Sequence, residues 1–408
     1  MAFFSRLRDR MTGHSRNRRT RRCEPRSPFY AQAAQVETLE QRCLLSGFSP
    51  RATYPIGANP QAVITADVNG DGKLDLITAS AGTYDSTTRT YAGGGISVLL
   101  AVAGNKGTFA PPQNYAIGPT GVIAVGDLNG DHKLDIVTGN GGVLLNNGNG
   151  TFRIGPSYTG GFSFGSFVAT ADLNHDGKLD IITAGYGNVE VLLGKGDGTF
   201  SAGSTVATGS DQMVVGDFNH DSNLDIVTIS GVTAYLLPGN GDGTFGSAQT
   251  IASLPSVNGI LAVTTADFNS DGKLDLAVTY ANYGDSPATT VVILLGNGDG
   301  TFNNAPGGRF DLGPGLPQEL TAADMNHDGK LDLVMLGTTV GNTIEVLYGN
   351  GDGSFTTGQY IYTNQYIYTN QSSLTPFVVG DFNGDGYPDI AVASGATLEV
   401  FLWSAKKK

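Results

Sequence analysis

One nine-residue pattern, Asp-x-Asn-x-Asp-x-x-x-Asp, occurs seven times, beginning at Asp67, Asp127, Asp172, Asp217, Asp267, Asp324 and Asp381. Successive copies stand 60, 45, 45, 50, 57 and 57 residues apart. A period of this size means that one supersecondary unit is being stacked on copies of itself, because a single unit cannot bury its own apolar face. A second pattern, Gly-Asn-Gly-Asp-Gly-Thr-Phe or a near relative, follows six of the copies and ends at Phe109, Phe152, Phe200, Phe245, Phe302 and Phe355. The seventh copy has no such follower.

Each unit reads as four short strands. In the third, 167–171 is strand one, 172–180 the acidic loop, 181–184 strand two, 189–193 strand three, and the turn at 194–198 leads into a fourth strand near 200–207. Short β-forming runs broken by Gly, Asn and Asp clusters are the hairpin signature. The 59 glycines and 35 Tyr and Phe residues also favour turns and strands over helices. Four strands per repeat predict an all-β, seven-bladed β-propeller over residues 47–404. Residues 48–57 read as a fourth strand with no blade before it, and the last unit lacks its fourth strand. Pairing 48–57 with 397–403 would complete the last blade and close the ring, which removes exposed edges.

These units resemble FG-GAP (VCBS-type) repeats, the blades of integrin-α-like propellers, over about residues 48–404. The resemblance is specific for fold and broad for function.

An oxygen-bearing residue at every second position suits a hard cation, and calcium takes six to eight oxygens. In the first loop the candidate ligands are Asp67, Asn69, Asp71 and Asp75, with Lys73 offering its carbonyl and Gly72 allowing the bend. The corresponding positions are Asp127, Asn129, Asp131, Lys133 and Asp135; Asp172, Asn174, Asp176, Lys178 and Asp180; and Asp217, Asn219, Asp221, Asn223 and Asp225. They continue as Asp267, Asn269, Asp271, Lys273 and Asp275; Asp324, Asn326, Asp328, Lys330 and Asp332; and Asp381, Asn383, Asp385, Tyr387 and Asp389. Up to seven Ca2+ ions are expected. Weaker binding is expected where His132 and Ser222 replace the glycine of position six. The loops are not EF-hands, because position twelve is Thr78, Thr138, Thr183, Thr228, Val278, Met335 or Val392 rather than a carboxylate. With no Cys in the body and no His at a ligand position, zinc is disfavoured.

Charge divides the chain. Residues 1–46 hold ten arginines, no lysine and four acids, leaving 14 basic and 33 acidic residues for the rest. An acidic body argues against nucleic acid. The basic leader, containing Cys23 and Cys43, reads as a targeting or disordered segment without an apolar signal-peptide core. Within it, Leu39, Glu40, Arg42, Leu44 and Leu45 resemble the LEPR-XLL-type segment of bacterial secreted proteins, with Gln41 departing from the proline of that motif; the resemblance implies export. The other reading is a short amphipathic helix of no special role. Extracellular calcium modules bind at ~0.1–1 mM, which also favours a secreted or cell-surface location. Residues 405–408 form a basic tail, and no apolar run is long enough to span a membrane as a helix.

Four of the five histidines, His132, His175, His220 and His327, stand inside acidic loops and the fifth, His14, in the leader. No nucleophile–histidine constellation is left, so catalysis is not expected, a polysaccharide lyase or hydrolase remaining the enzymatic alternative. Strand alternation puts the acidic loops and glycine-rich turns on one face. Insertions at 80–95, 155–165, 280–290, 307–317 and 358–374 fall on the other, which collects Tyr84, Tyr91, Tyr158, Phe162, Phe164, Tyr283, Tyr360, Tyr362, Tyr366 and Tyr368. Such loops suit recognition of a protein or a glycan, and the integrin resemblance implies ligand binding on this same face. The expected protein is a monomeric adhesion or binding module, with a lectin-like module as the alternative.

Overall fold

The computed structural model describes residues 48–403 apart from 105–106, 159–166, 186, 209–211, 254–259, 283–287, 314–318, 338–342 and 363–375. The leader and the basic tail lie outside the described residues.

Among the described residues there are no helices, and seven four-stranded antiparallel sheets are formed. Blade 3 shows the plan: Phe167–Ala171, Asp180–Gly185, Asn188–Gly194 and Phe200–Ala207, hydrogen-bonded in that order. Strand two is buried on both faces in every blade because it is sandwiched between neighbouring blades; Asp180–Gly185 is buried at all six positions. This explains its run of Ile and Ala where a half-exposed strand would alternate. Strand four is the outer edge and is mostly exposed, as in Phe200–Ala207.

The core is divided among the joints. Among the described residues seven apolar clusters are present, and each is shared by two consecutive blades. One joins Ile181 and Leu192 of blade 3 to Val137 and Leu145 of blade 2, and another joins Leu76 and Leu99 of blade 1 to Leu398 and Val400 of blade 7. Seven clusters for seven blades make a closed ring. Closure comes from Phe48–Pro55, which pairs antiparallel with Thr397–Trp403, Phe48 opposite Trp403 and Pro55 opposite Thr397. The Phe48 and Trp403 rings meet edge to face, 4.9 Å apart. The expected seam is therefore present.

The opposite face differs from the sequence reading in three places. Tyr158 does not point outward. It is 8 % exposed, packs on Phe200, and donates its hydroxyl to the Thr138 carbonyl at 2.5 Å. A buried ring next to a turn is satisfied by a backbone carbonyl, so Tyr158 belongs to the joint of blades 2 and 3. Tyr360 and Tyr362 are part of strand four of blade 6, opposite Glu345 and Thr343, rather than of a loop. Strand four of blade 5 likewise runs through Phe302–Gly313 and absorbs most of the supposed insertion at 307–317. Phe162, Phe164, Tyr283, Tyr366 and Tyr368 lie outside the described residues.

Candidate metal loops and the blade joints

The seven acidic loops share one backbone design. The first aspartate receives at least two amides: Asp67 Oδ1 accepts the N–H of Asp71 at 3.1 Å and its Oδ2 that of Gly72 at 2.8 Å, and the other six loops repeat both bonds; Asp67 and Asp381 also accept the N–H of Gly70 and Gly384. Position five accepts the N–H of position seven, as Asp71 does from Lys73 at 3.0 Å. Side-chain oxygens at alternate positions wrap their own backbone into a tight coil of Asx turns. Position six has a positive φ throughout. His132 (62°) and Ser222 (73°) adopt the same bend as the glycines despite their side chains, at a cost of ~1 kcal/mol each.

The ninth aspartate has a role that the sequence reading did not assign. Asp75 is fully buried. Its Oδ2 accepts the N–H of Val68 at 3.0 Å, and its Oδ1 accepts that of Ala101 at the end of strand three at 2.7 Å. All seven blades repeat this staple, with Asp135, Asp180, Asp225, Asp275, Asp332 and Asp389 in the same place. Burial pushes these carboxyls up, the two amide bonds pull them down, and the charges of the first and fifth aspartates raise them again. Asp75, Asp275 and Asp332 reach about 6 and Asp389 about 7.

The loop also touches the next blade. The carbonyl of position two accepts an N–H from the glycine-rich turn of the following blade: Leu128 from Gly198, Leu173 from Gly243, Phe218 from Gly300, Phe268 from Gly353 and Phe382 from Gly107, at 2.9–3.3 Å. At Val68 the Asn146 side-chain amide replaces the turn, at 2.8 Å. The turn glycine must be bare. At Gly243, where φ is 80°, a Cβ would stand 2.8 Å from Leu193 of the preceding blade. Turn phenylalanines pack the same way, Phe355 on Phe268 and Phe109 on Phe382. Blade 7 has no such turn, because its fourth strand is Phe48–Pro55.

For a cation, the fit is mixed in six loops and better in the seventh. Among the described residues, no three Asp, Glu, His or Cys side chains converge on one point. Oxygens of positions one and five are engaged by loop amides, and in loops 1, 2, 3 and 5 the lysine of position seven pairs with the fifth aspartate at 3.1–3.6 Å. The donor chemistry remains all oxygen. Three aspartates stand within nine residues in every loop. In loop 7 Asn383 turns inward. It is 9 % exposed, donates its amide to Asp389, and leaves Oδ1 buried without a hydrogen-bond partner. A buried carbonyl oxygen without a hydrogen-bond partner, on a side chain whose amide meets the raised Asp389 carboxyl, is a group that a hard cation would satisfy. The residues that would hold it are Asp381, Asn383, Asp385 and Asp389, with the Tyr387 carbonyl.

On the opposite face, blade 1 inserts a hairpin between strands two and three, Thr83–Asp85 paired with Thr90–Ala92. Tyr84 and Tyr91 stand directly across from each other with rings 5.0 Å apart, and Tyr84 is 51 % exposed. Of the ten aromatics predicted for this face, Tyr84 is exposed and Tyr91 is half-buried against it.

Comparison with known proteins agrees with this geometry. The sequence profile described as FG-GAP-like repeat matches residues 138–183, 172–228, 217–278 and 324–392, and the FG-GAP repeat profile matches 59–99 and 121–154. A search of the curated proteins finds no match. Among solved structures, the chain is similar to an Agrocybe aegerita lectin described as recognising non-reducing terminal N-acetylglucosamine, at 22 % identity, over 84 % of this chain and 87 % of that one, with a TM-score of 0.52. It is also similar to BBS1N solved in complex with ARL6DN (11 %, 88 % and 97 %, TM-score 0.54) and to a Lactobacillus plantarum protein (13 %, 76 % and 86 %, TM-score 0.51). These likenesses concern the fold alone. Together, the repeat profiles cover more than half of the chain, and they fall on the blades and acidic loops described above: the protein belongs to the FG-GAP-like repeat family.

Proposed function

We propose that this protein is an exported, monomeric, calcium-clamped binding module, without catalytic activity, that recognises a protein or glycan partner on the face opposite the acidic loops. The observation that supports calcium most directly is the buried, unpartnered Oδ1 of Asn383 in loop 7. Calcium at the loops would neutralise aspartates that otherwise repel one another, and would stabilise the ring by mass action. Because the loop is stapled to strand three and hydrogen-bonded to the next blade, a cation there would firm the joint as well as the loop. Recognition is assigned to the other face because Tyr84, braced by the half-buried Tyr91 of the same blade 1 hairpin, is exposed there. Among the described residues, no helix is long and apolar enough to cross a membrane. A secreted or surface location follows from the millimolar affinity expected of such loops.

The test is thermal unfolding of the full chain in about 2 mM calcium and then in chelator, with metal counting. A calcium-dependent rise in Tm with several ions bound supports the clamp; no shift and no metal overturns it. Partner class is tested separately, by a glycan array and by binding to extracellular matrix proteins, each with Tyr84→Ala alongside. Binding in either assay that the variant loses supports the assigned face, and binding that it retains moves recognition elsewhere.

A further inference from the structure

Two pairs of neighbouring loops are linked by histidines at position four. His175 of loop 3 donates Nε2–H to Asn223 Oδ1 of loop 4 at 3.0 Å. His327 of loop 6 donates Nε2–H to the Gly386 carbonyl of loop 7, and its ring lies 4.6 Å from that of Tyr387. Asn223 and Tyr387 both occupy position seven, and loops 4 and 7 are the two in which that position is not lysine. Where position seven is lysine, its ammonium pairs with the fifth aspartate of its own loop in four of five cases. Where it is not, a histidine arrives from the preceding blade. His220 is the built-in contrast. It has the same position and the same positive φ of 57° as His175, but it precedes a lysine loop and, among the described residues, makes no such bridge.

The bridge at loop 7 matters most. There the glycine-rich turn that joins other blades to the preceding loop is missing, because the fourth strand comes from Phe48–Pro55. His327 supplies a loop-to-loop link at the joint that lacks the turn. It fixes the Gly386–Tyr387 peptide, and the next carbonyl along, that of Tyr387, is the backbone oxygen expected to face a cation. Loop 7 is also where Asn383 Oδ1 is buried without a partner.

Building on the calcium reading, we propose that His327 is a positioning residue that couples loop 6 to loop 7, so that a cation in loop 6 tightens cation binding in loop 7 across the joint of blades 6 and 7. A cation that orders loop 6 holds the His327 backbone, and its side chain then holds the peptide of the neighbouring site. The effect acts through position, with no ligand shared between the loops.

Loop 7 can be read on its own. The chain's single tryptophan, Trp403, donates its backbone N–H to Asp389 Oδ1 at 2.7 Å. Tryptophan-sensitised emission of Tb3+, used as the probe for calcium sites, therefore reports this loop before the others. The full chain is titrated with Tb3+ as wild type, His327→Gly, His327→Gln, His220→Gly and Asp328→Asn, and as the double variant His327→Gly/Asp328→Asn. Glycine relieves the positive φ of His327 (63°), so any loss cannot be blamed on backbone strain. The expected result is a midpoint about fivefold higher in His327→Gly, partial recovery in His327→Gln, and less than about twofold change in His220→Gly. Asp328→Asn should raise the midpoint in wild type and have no further effect in His327→Gly. Emission that is indifferent to His327, or an Asp328→Asn effect of equal size in both backgrounds, overturns the coupling and leaves the calcium reading standing. No sensitised emission from wild type overturns the calcium reading and the coupling with it.

Discussion

The two ends of each blade are built on different terms. At the acidic end all seven loops repeat the bonds of the first aspartate, and those of the buried ninth aspartate with its two amides, to within a few tenths of an ångström. At the other end blade 1 carries a ten-residue excursion with its tyrosine pair, while blade 2 turns in a few residues at Gly139–Gly142. A loop that must satisfy its own backbone, the end of strand three and the next blade leaves no freedom to vary. A loop that bonds only its own hairpin can change without cost to the ring. Stability is held at the acidic end, and the other end is where the sequence is free to change.

The contrast is broken most severely by Asp275→Ala. Two buried amides, those of Phe268 and Gly296, lose their acceptor, and at about 1–3 kcal/mol for each unsatisfied group the loss should be ~2–6 kcal/mol. Chemical denaturation should show it with or without calcium. A loss seen only in calcium would mean that Asp275 is a ligand and not a staple.

Next in size is the response to pH, which should change sign with the metal. The ninth carboxyls are raised above their unfolded values, to about 6 at Asp75, Asp275 and Asp332 and about 7 at Asp389. A raised carboxyl binds its proton more tightly when folded. Its stabilising contribution is complete below the unfolded value near 4 and disappears as pH rises through 6 to 7. Metal-free protein should therefore melt higher at pH 5.5 than at pH 8. In calcium the order should invert, because protons compete with the cation. Two melting curves in chelator and two in calcium decide it, and parallel behaviour in both would remove the carboxylates from the account.

A smaller change comes from the bends. His132→Gly and Ser222→Gly should each stabilise by ~1 kcal/mol, since φ values of 62° and 73° suit glycine. A loss of stability would show that these side chains do something beyond tolerating the bend. Smallest of all is Tyr84→Ala, a half-exposed residue on a hairpin, expected to stay within about 0.5 kcal/mol of wild type in the same denaturation assay. A large loss there would make the opposite face structural and erase the comparison.

Much of the fold was legible because the acidic pattern fixes the phase of every blade. Once Asp172 was placed, the strands of blade 3 followed to within one or two residues, and the unpaired strand at 48–57 announced its partner. What could not be read was which blade a group serves. The staple by Asp180 and the bond from Gly198 to Leu128 link residues that no local period connects. Only its strict recurrence just ahead of a buried strand hinted that the ninth aspartate belonged to the core. Tyr158 misled for the same reason: its sequence neighbours are loop-like, and its burial is provided by blade 3. Tyr360 and Tyr362 misled because a strand rich in Tyr and Thr and a tyrosine-bearing loop have the same composition.

The pairing of Phe48–Pro55 with Thr397–Trp403 also sets a timetable. Six blades draw all four strands from contiguous sequence and can zip as they emerge from the ribosome. The seventh needs a strand made near the start and another made near the end. Until the second appears, the first is an unsatisfied sheet edge, and the growing array is open on both sides. Loop closure over such a distance costs only logarithmically more entropy than a short one, so the finished ring loses little stability to it. The penalty falls on rate, because the longest-range contact in the molecule is also the one that seals it. A chain stalled before residue 397 would hold six blades and expose two templates for pairing with another copy, which makes the emergence of Thr397–Trp403, rather than any single blade, the event that protects the protein from itself.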